Sequence, residues 1–238
     1  MNTRRPSGDA TRLRILDAAE RLFADHGYDG VSLRQITAAA DVKLALANYH
    51  YGSKAGLWAE VFSRRARILG ARRLVLLRAC RRQARPGPPT PEAVIDAFIR
   101  PYLEISQSGD PGWEAYSRLI AQAANSAGMP GAASIARSFD SVARRFLEAL
   151  HRALPDHSEE QVVWSFHFMM GVMLHTFART GRIDGLTDGR YRSDDVERIV
   201  AHMIPFLAAG MRACRADPAI ARPAAAPAID EPLKEVVP

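Results

Sequence analysis

Residues 32–58 read SLRQITAAADVKLALANYHYGSKAGLW, and the order of caps, apolar positions and turns in this run decides the fold. Ser32 precedes an apolar-periodic segment and has Gln35 three residues on, a capping-box pattern that starts a helix. Leu33, Ile36 and Ala40 then fall on one face at helical spacing. That helix can hold only about two turns, because Asp41-Val42 interrupts it with a turn-favouring residue and an apolar plug, after which Leu44 to His50 form a second short helix. Neither helix is stable alone. Residues 11–26 supply the scaffold: Ile15, Leu16, Ala19, Leu22 and Phe23 form an amphipathic stripe that stops at Gly27, a C-terminal cap. Three helices in this order make a helix-turn-helix head, the arrangement that sets a recognition helix in the DNA major groove. Ser53-Lys54 then opens a long helix, and reads better as a cap with a phosphate contact than as a nucleophile with its base.

Charge is distributed in the same sense. Up to Arg85 there are 17 Lys and Arg against 7 Asp and Glu, and beyond it 15 against 19, so the basic half adjoins the motif within a net +6. A polyanion attracts such an end through counterion release, whatever its sequence. Arg64, Arg65, Arg67, Arg72, Arg73, Arg78, Arg81 and Arg82 read chiefly as the solvated face of the long helix, whose roughly 30 residues carry its far end about 45 Å from its start. The 47% hydrophobic content of 238 residues is enough for a small head and a larger body. No run of 18 apolar residues is present, and the N-terminal arginines have no apolar signal region behind them, which predicts a cytoplasmic chain without membrane contact. Cys80 and Cys214 lie outside any CxxC or ligand cluster and read as reduced structural residues.

Beyond the head every segment reads as helix, so the predicted class is all-α. The boundaries are a DNA-binding head over 1–56, a helical ligand-binding and dimerisation body over 57–216 and a disordered Ala/Pro-rich tail over 217–238. Pro86-Gly87-Pro88-Pro89 ends the long helix begun at Ser53, and Thr90-Pro91-Glu92 starts the next. Gly109-Asp110-Pro111, Gly128-Met129-Pro130-Gly131 and Pro155-Asp156-His157-Ser158 divide the remainder, the last with Gln161 as the box partner of Ser158. From Ser158 to Thr180 the chain is apolar on more than one face. Val162, Phe166, Met169, Met173 and Phe177 form one stripe, while Trp164, Phe168, Gly171, Leu174 and His175 lie around the other side. A surplus apolar face predicts a subunit interface, assigned to Val162, Phe166, Met169, Gly171, Met173 and Phe177 with Val200, Met203 and Leu207 of the next helix, where Pro205 predicts a kink or break; the alternative is that both are ordinary core helices.

No GxSxG elbow, GxxxxGK[ST] loop, HExxH helix or GxGxxG turn is present, and the histidines lack ligand spacing, so an enzyme, a metal site and a cofactor are not expected. The size of the body exceeds what dimerisation alone requires. Trp113, Tyr116, Ile120, Phe139, Phe146, Trp164 and Phe168 are as a group the candidates to line a cavity for an apolar ligand, although any one of them alone reads more readily as solid core. The competing reading is a constitutive helical DNA-binding or architectural protein with no small ligand.

The string ADVKLALANYHYGSKAGLW, with Tyr51, Gly52, Ser53, Lys54 and Leu57, resembles the TetR family of bacterial transcription regulators over about Thr11 to Trp58. Lys43 and Asn48 depart from the pattern, standing where a small hydroxyl residue and an aromatic are usual. The resemblance implies a homodimer bound to palindromic double-stranded DNA, with Ser32, Lys43, Tyr49, His50 and Lys54 as contacts; Leu44 and Leu46 either touch thymine methyls or help the short helix pack. It implies that the last two long helices pair with a second subunit as a four-helix bundle. The run LPDHSEEQVVWSFHFMMGV resembles the body of relatives that sense fatty acids or acyl thioesters, which implies a small apolar or acyl-type effector of a repressor.

Overall fold

Helix starts follow the caps written in the sequence. The computed structural model describes residues 8–124, 132–178 and 180–214, all as helices and connecting turns. The head comprises α1 (Gly8–His26), α2 (Leu33–Ala39) and α3 (Leu44–Tyr51), and α4 (Lys54–Gln83) leads from it into the body. Then come α5 (Pro91–Ser106), α6 (Pro111–Ala124), α7 (Ala132–Ala153), α8 (Glu159–Phe177), α9 (Arg182–Leu186) and α10 (Val196–Ala213). Ser32 and Ser158 each close a full capping box, with Gln35 and Gln161 respectively, and Thr90 caps α5 ahead of Pro91. Gly27, at φ +72°, ends α1 in the left-handed conformation that a residue without Cβ adopts most easily.

The head core is formed where the three short faces meet α4. Ile15, Ala19, Phe23, Ile36, Ala47, Leu57 and Trp58 are buried there, and the Trp58 ring stands edge-on to Phe23 and Tyr28. In the body α5 is buried on nearly every side between α4, α7 and α10, with Val94, Ile95, Phe98, Ile99 and Tyr102 inside. Close approach of α4 to α7 depends on Gly70, since a Cβ there would lie 2.8 Å from Val142 Cγ2.

Three expectations are revised. α10 runs through Pro205 without a break, and the five-residue α9 was not anticipated. The arginines of α4 are not simply a solvated face: Arg64 and Arg65 bond Glu20, Arg73 is buried, and Arg81 donates to the Arg145 carbonyl. Each gains a partner from a neighbouring helix, which a periodicity reading of one helix cannot supply. The break at 128–131 and the tail at 217–238 lie outside the described residues.

Candidate functional site

Burial of Ala47 seats α3 on the head core, and that contact determines which side chains look outward. Tyr49 is 81% exposed, Lys43, Leu46 and Asn48 are exposed, and Leu44 and His50 are half-buried. The His50 ring lies between those of Tyr49 and Tyr51, at 5.1 and 6.2 Å between centroids. Tyr51 turns inward instead: its hydroxyl donates to the Arg12 carbonyl at 2.7 Å, and burial pushes the phenol up to about 12. This bond fixes the end of α3 to α1.

The flanks of α3 are equally defined. Ser32 accepts from the Gln35 amide at 3.2 Å, so its hydroxyl sits at the N-terminus of α2 beside amides that favour an anion. Asp41 adopts φ +50° in the turn, and Arg14 Nη2 donates to its carbonyl at 2.9 Å. Ser53 caps α4 by accepting from the Gly56 amide at 3.1 Å, and Lys54 holds its Nζ 4.2 Å from the Tyr28 ring centroid. The candidate DNA contacts thus occupy the ends and outer surfaces of consecutive helices. Arg14 and Tyr28, which brace the turn and the lysine, went unread, because their partners are distant in sequence.

A buried charge cluster joins head to body. Glu20 of α1 receives Arg65 Nε at 2.8 Å and Nη2 at 2.7 Å, and Arg64 bonds it alongside Asp17. The bonded carboxylate holds the Arg65 guanidinium above its ordinary value. Arg65 also covers the Trp113 ring of α6 at 4.8 Å, so one guanidinium ties three helices.

In the body the two apolar faces of α8 exchange the roles expected of them. Val162, Met169, Met173 and Phe177 are buried in the protomer's own core, as are Val200, Met203 and Leu207 of α10, and Phe166 packs on Phe98. Side chains already enclosed by their own chain cannot cover a partner, so the interface assignment is corrected. The opposite face is the open one: Trp164 is 50% exposed and Phe168 57%, their rings stacked 5.8 Å apart, and a Cβ on Gly171 would meet nothing within 4 Å. Trp164 and Phe168 are thus surface rings, away from the interior cavity of the body.

Of the other expected lining residues, Tyr116, Ile120 and Phe139 border a cavity of about 120 Å³ between α4, α5, α6, α7 and α8. Trp113 and Phe146 are buried outside it, Trp113 against Arg65 and Phe146 against Phe98. Arg73 reaches the cavity wall from α4. Its position fell on the buried stripe of Ala66, Leu69, Gly70 and Leu77, a signal that could have singled it out.

Comparison with known proteins bears on the family and the fold. Residues 15–61 match the family described as bacterial regulatory proteins, tetR family, and residues 96–210 the tetracyclin repressor-like C-terminal domain. The HTH-type transcriptional regulator YttP of Bacillus subtilis (strain 168) is 35% identical over 54 residues, which are 23% of this chain and 26% of that protein. The fold is similar to that of HlyIIR, a hemolysin II transcriptional regulator, at TM-score 0.51 and 22% identity, covering 82% of this chain and 97% of that one. It is also similar to that of the transcriptional regulator FadR from Bacillus subtilis in complex with stearoyl-CoA, at TM-score 0.58 and 13% identity over 84% and 98% of the two chains.

Proposed function

Because the chain belongs to the TetR family of DNA-binding transcriptional regulators, we propose that it represses transcription as a homodimer on a palindromic operator and is released by a small apolar or acyl-type effector. The observation that carries the DNA reading is the outward face of α3, with Tyr49 open to solvent while Ala47 anchors the helix. Tyr49 and His50 reach base edges or phosphate, Leu44 and Leu46 meet thymine methyls, and Ser32, Lys43 and Lys54 hold phosphates on either side. Lys54 is a point charge steadied by the Tyr28 ring. No helix among the described residues is long and apolar enough to cross a membrane.

Dimerisation falls to the open faces of α8 and α10. Trp164, Phe168 and Phe206 are exposed large rings, and Gly171 leaves room for a second backbone. An apolar surface of this kind is a partner surface. The cavity lined by apolar side chains between the body helices supports the ligand-responsive reading over a constitutive one, and the stearoyl-CoA held by the FadR relative supports the acyl class. Selection from random duplexes tests the DNA reading: an enriched inverted repeat is expected, with affinity falling steeply as salt rises. Recovery of no enriched repeat would overturn it.

A further inference from the structure

The cavity between α4 and α8 contains a charge that an ordinary core would not keep. Arg73 is buried, its Nε donates to the Phe98 carbonyl at 2.7 Å and its Nη2 to Met173 Sδ at 3.7 Å, and the guanidinium lies 3.7 Å from the Phe98 ring centroid. Among the described residues no carboxylate pairs with it. Burial lowers its pKa to about 10, so it remains a cation at neutral pH. A buried cation without an anion is costly, and the natural remedy is a bound anion. Beside it on the same wall is Tyr116, fully buried, whose hydroxyl has no hydrogen-bond partner among the described residues. Apart from Tyr102, whose hydroxyl donates to Ser117 Oγ at 3.0 Å, the rest of the lining is apolar, including Phe139, Met170 and Phe177.

We propose that this cavity binds a small organic monocarboxylate with a compact apolar body, its carboxylate received by the Arg73 guanidinium and the Tyr116 hydroxyl. The inference rests on the ligand-responsive reading above and names the ligand class. A planar guanidinium matches a carboxylate with paired N–H donors, and the Tyr116 hydroxyl adds a third donor to an acceptor-only group. One positive charge balances a monocarboxylate; a phosphate dianion would leave a charge uncompensated. Volume limits the body. An apolar cavity of about 150 Å³ accepts one benzene, so about 120 Å³ suits a compact body at the carboxylate end, with anything longer reaching out through the open side. Phe139 and Phe177 would flank that body, and Met170, being unbranched, can adapt to its shape.

The test is isothermal titration calorimetry of the full chain with benzoate, phenylacetate and hexanoate, each beside its neutral alcohol, with operator binding measured in parallel. At least one acid is expected to bind ten- to a hundredfold tighter than its alcohol. Tyr116→Phe removes only the unpartnered hydroxyl, so the variant should fold and should weaken that acid about tenfold without affecting the alcohol. Arg73→Met should erase the preference for the acid. Should that variant not fold, the acid-to-alcohol ratio and Tyr116→Phe still decide. The proposal is overturned if no acid binds, if acids and alcohols bind alike, or if Tyr116→Phe leaves acid binding unchanged. An acid that binds as expected without releasing the operator supports the site and overturns the switch. Neutral ligands that release the operator equally from the wild type and Arg73→Met overturn the site and leave the switch.

Discussion

Replacing Glu20 with Gln keeps the shape of the side chain and removes the one carboxylate that Arg64 and Arg65 share. The Glu20 side chain is 4% exposed, so water cannot replace what is lost. Breaking one side of a buried pair costs roughly 3–5 kcal/mol, because the remaining charge is left uncompensated. The Arg64 and Arg65 side chains retain 16% and 13% exposure and Arg64 keeps Asp17, which puts the expectation at the low end, about 3 kcal/mol. For a chain of this length such a loss lowers Tm by roughly 6–12 °C. Thermal unfolding followed by circular dichroism measures it. A cycle with Arg65→Gln separates this pair from its surroundings, and a coupling of at least about 1.5 kcal/mol is expected for groups in direct contact. A fall in Tm of less than about 2 °C, or strictly additive single changes, would refute the view that this cluster fastens head to body.

Two further outcomes bear on the proposed function. Lys54→Ala should weaken binding to every duplex and flatten the salt slope by about one unit, since it removes the proposed phosphate contact without touching a base; unchanged affinity and slope in a salt series would mean that the head is oriented otherwise. Phe168→Asp places a charge on the open face of α8 and should give a folded monomer in light scattering that no longer binds a palindrome; a stable dimer would put the interface elsewhere.

Local chemistry was legible in the sequence, and its long-range consequences were not. Ser32 with Gln35, Ser158 with Gln161 and Thr90 before Pro91 act within four residues of chain, so their pattern alone was enough to start three helices. Two apolar stripes on α8 could be counted, but which one turns inward depends on what α5 and α7 present to it. Phe98 of α5 faces Phe166, which helped send the Val162 stripe into the core and leave Trp164 and Phe168 outside. Arg73 shows the same limit. Its residue type suggested solvent, its position on the stripe suggested burial, and only the Phe98 carbonyl shows how the core satisfies it. Glu20 was likewise unremarked, because its partners lie more than 40 residues away.

α4 carries Lys54 at its first residue and Arg73 further along one unbroken helix. Successive residues of an α-helix advance 1.5 Å and turn about 100°. Gain or loss of a single residue between those two positions would therefore swing the Lys54 end about a quarter turn or more relative to the cavity wall. The stretch from Ala84 to Thr90 is under no such constraint, since a turn between helices can absorb an extra residue. With Lys54 and Arg73 in their proposed roles, the chain can vary in length after α4 but not between those two residues, and a swap of heads between such regulators must join them in register along that helix.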